Sequence, residues 1–217
     1  MTLATATRAQ SPAEELANSL SHGLAALLSA AALVVMGSTQ PLSAWLSGQT
    51  LAEAGFVLSL LLLYGASALC HALPPGVAKQ RMDRLDRAAI YLFIAASYSP
   101  FAVPALRDVL AWAAFAAIWL LALTGALLAL RADPVHPLRS TLLYLALGWL
   151  VLLAALPWIA ELQPQGRWLL LAGGLAYSLG ALVFLASARW RFAHLGWHLL
   201  VMLGSGLHAG AVWVQSR

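Results

Sequence analysis

The sequence predicts an all-α integral membrane bundle of seven transmembrane helices, and three observations carry that prediction. Of 217 residues, 62% are apolar and 9% are charged. With a mean hydropathy of +0.82, the chain has too few polar groups to cover a water-facing surface, so its solvent is mostly lipid. Charge-poor apolar runs recur seven times, each close to the roughly 20 residues that cross a hydrocarbon core. In lipid, unbroken runs of this length satisfy their backbone only as helices, because membrane strands alternate in polarity and close into barrels.

The first run, 17–37, follows an N-terminal stretch that lacks the apolar core of a signal peptide, so it is expected to stay in the mature protein. Gly37 to Gly48, with Pro41, separates it from the second run, 53–73, and Pro74-Pro75-Gly76 leads to the third, 88–106. Pro104 with Arg107-Asp108 precedes the fourth run, 109–130. Asp133-Pro134 with Pro137 precedes the fifth, 140–160. Gln163-Pro164-Gln165-Gly166 precedes the sixth, 168–188, and the seventh occupies 193–214. No soluble domain fits beside them, so 1–217 is expected to form one transmembrane domain.

The 12 basic against 8 acidic residues are a topology signal and not a nucleic-acid footprint. Arg8, Lys79, Arg81, Arg84, Arg87, Arg131, Arg139, Arg189 and Arg191 fall on the side of the N-terminus, and Arg107, Arg167 and Arg217 on the other. Nine against three predicts a cytoplasmic N-terminus and an external C-terminus. A single cysteine, Cys70, excludes an intramolecular disulfide and a cysteine-built metal cluster. Cys70 itself reads as a buried small residue.

An ionisable residue inside a span is costly unless paired or hydrated, so each is a functional candidate. Asn18 and His22 start the first helix, Ser67 and His71 end the second, Asp86 starts the third, and His194 and His198 start the seventh. All reach the same leaflet. Ser67 and His71, like His194 and His198, are four residues apart and share a helix face. His71, His194 and His198 would make a three-histidine set with a fourth position open for water, as in catalytic zinc sites. Asp86 would orient that water and take its proton, while Ser67 would hydrogen-bond to it or to a ligand.

Plainer readings stand beside these. An interfacial histidine pair can simply bind headgroups, and His22 reads equally as a helix-start residue in that region. His136, between two prolines, reads as solvated. His208 lies ten residues past His198, about 15 Å deeper along the axis, and reads as an interhelical hydrogen-bonder or cavity wall. Glu14 and Glu15 read as first-turn charges complementing the helix dipole. Arg84 and Arg87 read as topology anchors, the tryptophans as interfacial belts, and Gly206-x-x-x-Gly210 as a packing surface.

Taken in order, Glu15-Leu-Ala-Asn18-Ser-Leu-Ser-His22-Gly, Ser67-Ala-Leu-Cys-His71, Leu85-Asp86-Arg-Ala-Ala-Ile90-Tyr91, Ser97-Tyr-Ser-Pro-Phe101, and His194-Leu-Gly-Trp-His198 followed by Leu207-His208 carry a resemblance. The chain resembles the bacterial hemolysin III family, related to the progestin and adipoQ receptors, which include the adiponectin receptors. That resemblance implies a seven-helix bundle with its N-terminus in the cytoplasm and, as in the receptor branch, a zinc ion near the inner leaflet. The ion would be held by His71, His194 and His198, with Asp86 near its water. The wider superfamily is similar to the alkaline ceramidases, which implies hydrolysis of a lipid amide or ester. Two departures stand out: Asp86-Arg87 replaces the family's Asp-His, and Ser97-Tyr98-Ser99-Pro100 replaces Thr-Tyr-Thr-Pro. The serines keep a hydroxyl, and Arg87 puts a cation beside Asp86.

Two functions are therefore expected to compete. One is a zinc-dependent intramembrane hydrolase of a membrane-lipid or fatty-acyl substrate, placed in the bacterial plasma membrane and linked to lipid homeostasis. The other is a non-enzymatic receptor-like or haemolytic, pore-forming protein in which zinc staples the second and seventh helices. The outer halves of the spans are almost wholly apolar apart from Glu53, which disfavours a constitutive channel. No paired broken helices of the kind transporters use are present.

Overall fold

A computed structural model describes residues 8–131 and 137–216. The Asp133-Pro134 breaker, His136 and Arg217 lie outside the described residues. Seven helices long and apolar enough to cross a membrane account for most of the described chain. They are α1 (Pro12–Thr39), α2 (Gly48–Ala72), α3 (Val77–Ala102), α4 (Val109–Arg131), α5 (Pro137–Ala155), α6 (Pro164–Ala186) and α7 (Ala193–Gln215). Short 3₁₀ turns at Leu42–Leu46, Val103–Ala105 and Ile159–Glu161 complete the connections.

Local sequence explains the helix starts. Ser11 accepts from the Glu14 backbone N–H while the Glu14 side chain reaches back to the Ser11 N–H, a reciprocal capping box with Pro12 in the first turn. Ser47 caps α2 by accepting from the Thr50 N–H at 3.1 Å. Helix α3 begins at Val77, well before the apolar run at 88. Lys79, Gln80, Arg81 and Arg84 are good helix formers that hydropathy does not count. Asp86 therefore lies more than two turns inside α3 and not at its start.

Consecutive helices α1, α2, α3 and α4 pack pairwise, α6 packs on α7, and α1 closes the arrangement against α7. Helix α3 is the most buried of the seven. The buried positions of α1, Glu14, Asn18, His22, Ala25 and Ser29, follow one another by four or three residues and form a single stripe. Outward-facing leucines and valines clothe the bundle, and Trp112, Trp168, Trp190 and Trp213 are exposed near helix ends, as interfacial anchors are.

The packing glycines differ from the expected pair. A Cβ on Gly206 meets nothing within 4 Å, and one on Gly210 makes only ordinary contact with Leu169 at 3.6 Å. Close approach of α6 and α7 falls instead at Gly173 and Gly204, where a Cβ would come within 2.4 Å of His208 and of Tyr177 respectively. A small-xxx-small spacing marks one face of a helix, and here that face looks outward.

Candidate metal centre

The end of the bundle where α1 begins gathers the polar side chains. His71, His194 and His198 each offer one ring nitrogen, and these nitrogens lie within 4.8 Å of one another. Ring centroids are 5.0 Å apart for His71 and His194, 5.1 Å for His71 and His198, and 4.8 Å for His194 and His198. Helix α2 delivers the first ring from its last turn. Helix α7 delivers the other two from one face of its first turns.

The donor set suits a metal ion. His198 is fully buried, and its Nε2 has no hydrogen-bond partner among the protein's atoms. Such a nitrogen costs about 1–3 kcal/mol if left unmet, and convergence of two more imidazoles on it is the arrangement that a divalent cation satisfies. Three histidine nitrogens leave further positions open, which suits zinc and other imidazole-binding divalent metals.

Around the three rings stand groups from α1. His71 Nδ1 is 2.7 Å from Glu15 Oε2, and Glu15 Oε1 accepts from Lys79 Nζ at 3.0 Å. His198 Nδ1 is 3.3 Å from Ser21 Oγ, whose own hydroxyl donates to the Asn18 carbonyl at 2.9 Å. His22 stacks face to face on His198, with centroids 3.5 Å apart and planes 3° from parallel. Imidazole lone pairs lie in the ring plane, so two parallel stacked rings cannot both point at one ion. His22 is therefore a neighbour of the three-histidine group and not a fourth member.

Turn geometry brings α7 into place. Phe192, two residues before His194, adopts a left-handed conformation with φ 58°, which is costly for a bulky residue. Its N–H donates to Glu14 Oε1 at 2.9 Å, and the same carboxylate pairs with Arg8. The buried Glu14, expected to serve the helix dipole, thus also fixes the entry to the helix that carries two of the histidines.

Asp86 is half-buried beside the buried Ser67, whose hydroxyl has no hydrogen bond of ordinary geometry. Arg87 pairs its guanidinium with Asp83, one helical turn back. Tyr144 from α5 donates to the Arg87 carbonyl at 3.2 Å.

Below these groups lies a cavity of about 550 Å³ between α3, α5, α6 and α7. Its lining runs from His22, Asp86 and His194 at one end to Trp158 and Leu162 at the other, where the α5–α6 connection lies. His208 lines the wall and sits 3.3 Å from the Leu170 carbonyl of α6, with Tyr177 edge-on at 5.2 Å. It takes both expected roles, interhelical contact and cavity wall.

Sequence spacing thus places His71, His194, His198, Ser67 and Asp86 at one end of the bundle, as the structure does. It does not reveal Glu15, Ser21 and Lys79 as their supports. The available signal was that Glu15, Asn18 and His22 recur at helical spacing on one stripe of α1, although the partners come from other helices.

Fold and site together define a polytopic membrane protein with a three-histidine group between its second and seventh helices. Residues 10–209 match the family described as Haemolysin-III related, and the chain belongs to that family. It is 38% identical over 197 residues to Hemolysin-3 of Bacillus cereus, covering 89% of this chain and 88% of that protein. Against the Hemolysin-3 homolog of Bacillus subtilis the identity is 35% over 197 residues, 88% of this chain and 89% of the relative. A shorter match, 32% over 132 residues, joins 59% of the chain to 52% of the human Monocyte to macrophage differentiation factor.

Proposed function

We propose that this protein is a zinc-dependent intramembrane hydrolase of lipid amides or esters, sitting in a bacterial plasma membrane with its N-terminus in the cytoplasm. The observation that carries the reading is the convergence of three histidine nitrogens, with His194 of that group and Asp86 both lining the head of one long cavity. His71, His194 and His198 would hold the ion, which when bound supplies Lewis acidity toward a carbonyl and toward water. Asp86 accepts the proton as the water oxygen bonds to the acyl carbon. It then returns that proton to the departing amine or alkoxide as the carbon–nitrogen or carbon–oxygen bond breaks. The Ser67 hydroxyl, free of a strong internal partner, donates to the carbonyl oxygen or steadies the water. The cavity lined by Ile94, Phe101, Val151 and Leu170 takes the acyl chain out of water.

The test is elemental analysis of detergent-purified protein, followed by hydrolysis assays on fluorogenic ceramide-type and ester lipids. Expected are near-stoichiometric zinc in the wild type, loss of zinc in the His71, His194 and His198 triple alanine variant, and loss of turnover with zinc retained in Asp86→Asn. Zinc present without turnover on any lipid tested would sink the hydrolase reading.

One observation favours a second reading, in which the ion is a structural staple in a receptor-like protein. Helices α2 and α7 share little direct packing, so a metal would be their principal link. In that case chelation lowers the melting temperature and Asp86→Asn changes nothing.

A further inference from the structure

We infer that α1, which supplies no ligand, sets the ring orientation and tautomer of two of the three histidines, through Glu15 for His71 and Ser21 for His198. This rests on the reading of the three histidines as a metal centre.

A carboxylate only accepts hydrogen bonds. At 2.7 Å from Glu15 Oε2, the His71 Nδ1 must carry the proton, and Nε2 keeps its in-plane lone pair for a metal. Lys79 fixes the carboxylate from its other side. Its Nζ donates to Glu15 Oε1 at 3.0 Å, to the Cys70 carbonyl at 2.9 Å and to the Leu73 carbonyl at 3.4 Å. These carbonyls belong to the end of α2, where helical acceptors lack partners within the helix. The result is a closed loop of contacts: the α2 terminus holds Lys79, Lys79 holds Glu15, and Glu15 orients His71 on α2 again. Three helices meet at one carboxylate.

Ser21 works by the same logic with a weaker group. Its only proton is committed to the Asn18 carbonyl at 2.9 Å, so toward His198 Nδ1 at 3.3 Å its oxygen is the acceptor. His198 therefore carries its proton on Nδ1, and the nitrogen left over is the buried Nε2 that has no partner in the protein. Both histidines thus present the same atom. The Glu15 contact is charge-assisted and shorter, so it is the stronger of the two.

The experiment is ¹⁵N NMR of histidine-labelled, metal-free protein, in which the protonated and unprotonated ring nitrogens of each neutral imidazole resolve, combined with zinc affinity by chelator competition. Expected are Nδ1–H tautomers for His71 and His198 in the wild type. Glu15→Ala shifts His71 toward the Nε2–H form that free imidazole side chains prefer, and weakens zinc binding by about 10–100-fold, the usual effect of removing an orienting partner. Glu15→Gln, which keeps an acceptor oxygen, recovers most of that loss. Ser21→Ala acts on His198 alone and less strongly, and Ser21→Thr restores it. An Nε2–H tautomer at His71 in the wild type, or a folded Glu15→Ala protein with unchanged tautomer and affinity, overturns the inference. Should Glu15→Ala fail to fold, Lys79→Met, which frees one side of the carboxylate, carries the same two readouts. Wild-type protein that shows both Nδ1–H tautomers yet binds no metal upholds the orienting role and sinks the metal reading.

Discussion

At the scale of single residues, His22 is the most instructive. Its ring is buried, stacked on His198, and neither nitrogen finds a partner in the protein. The stack holds the His198 ring in plane, and the two unmet nitrogens oppose burial, each by about 1–3 kcal/mol. These effects separate by substitution. His22→Phe keeps an aromatic face and discards the nitrogens, so zinc affinity should stay within about threefold of wild type while the metal-free protein melts higher. His22→Ala removes the face, and affinity should fall. Melting curves and chelator titrations decide, and a lower melting point for His22→Phe would mean that the nitrogens are satisfied in the membrane-embedded protein. The three-histidine group was legible in the sequence because His194 and His198 share one helix face and His71 lies at the same depth. His22 was ambiguous because stacking needs a ring from a helix 176 residues away, and nothing in the local sequence of α1 reports it.

Among the helices, α3 and α7 show what hydropathy reads and what it misses. A hydropathy window measures immersion in lipid and not helicity, so it found the apolar part of α3 and passed over the turns from Val77 to Arg87. Those turns carry Lys79, Asp83, Asp86 and Arg87, the charged half of the site's surroundings. The start of α7 depends on a contact the sequence hides, the Glu14 carboxylate on the Phe192 N–H. Glu14→Ala should lower the melting temperature by several degrees and weaken zinc binding, because both Phe192 and the capping box lose their acceptor. Phe192→Gly, which relieves the left-handed strain, should offset part of the loss in the double variant. Strict additivity of the two changes would argue that they do not act on the same turn. At the α6–α7 contact, Gly204→Val drives a side chain into Tyr177 at 2.4 Å and should prevent stable assembly. Gly206→Val, facing open space, should be tolerated. Thermal stability in detergent checks the pair.

For the whole molecule, seven spans and one polar end were legible because lipid imposes both. A membrane leaves few structures for a chain this apolar, and it makes every buried charge conspicuous. A cavity wall was expected at His208, but the position and extent of the cavity were not legible, since a void is the absence of side chains from several helices at once and leaves no period in any of them. It can be filled without disturbing the metal residues. Gly174 on α6 lines the cavity, and a Cβ there meets nothing within 4 Å. Gly174→Leu should therefore retain zinc and melting temperature while lowering turnover at least tenfold on long-chain lipids and much less on short-chain ones. Equal loss for both chain lengths would mean that the acyl chain lies elsewhere.

The supports of the three-histidine group lie on α1 and, through Lys79, on α3, while one histidine lies on α2 and two on α7. Without α7, His71 and its brace are in place but His194 and His198 are not. On the metal reading, ion capture would wait until α7 docks, and a loaded centre would report that α7 has found α1 and α2.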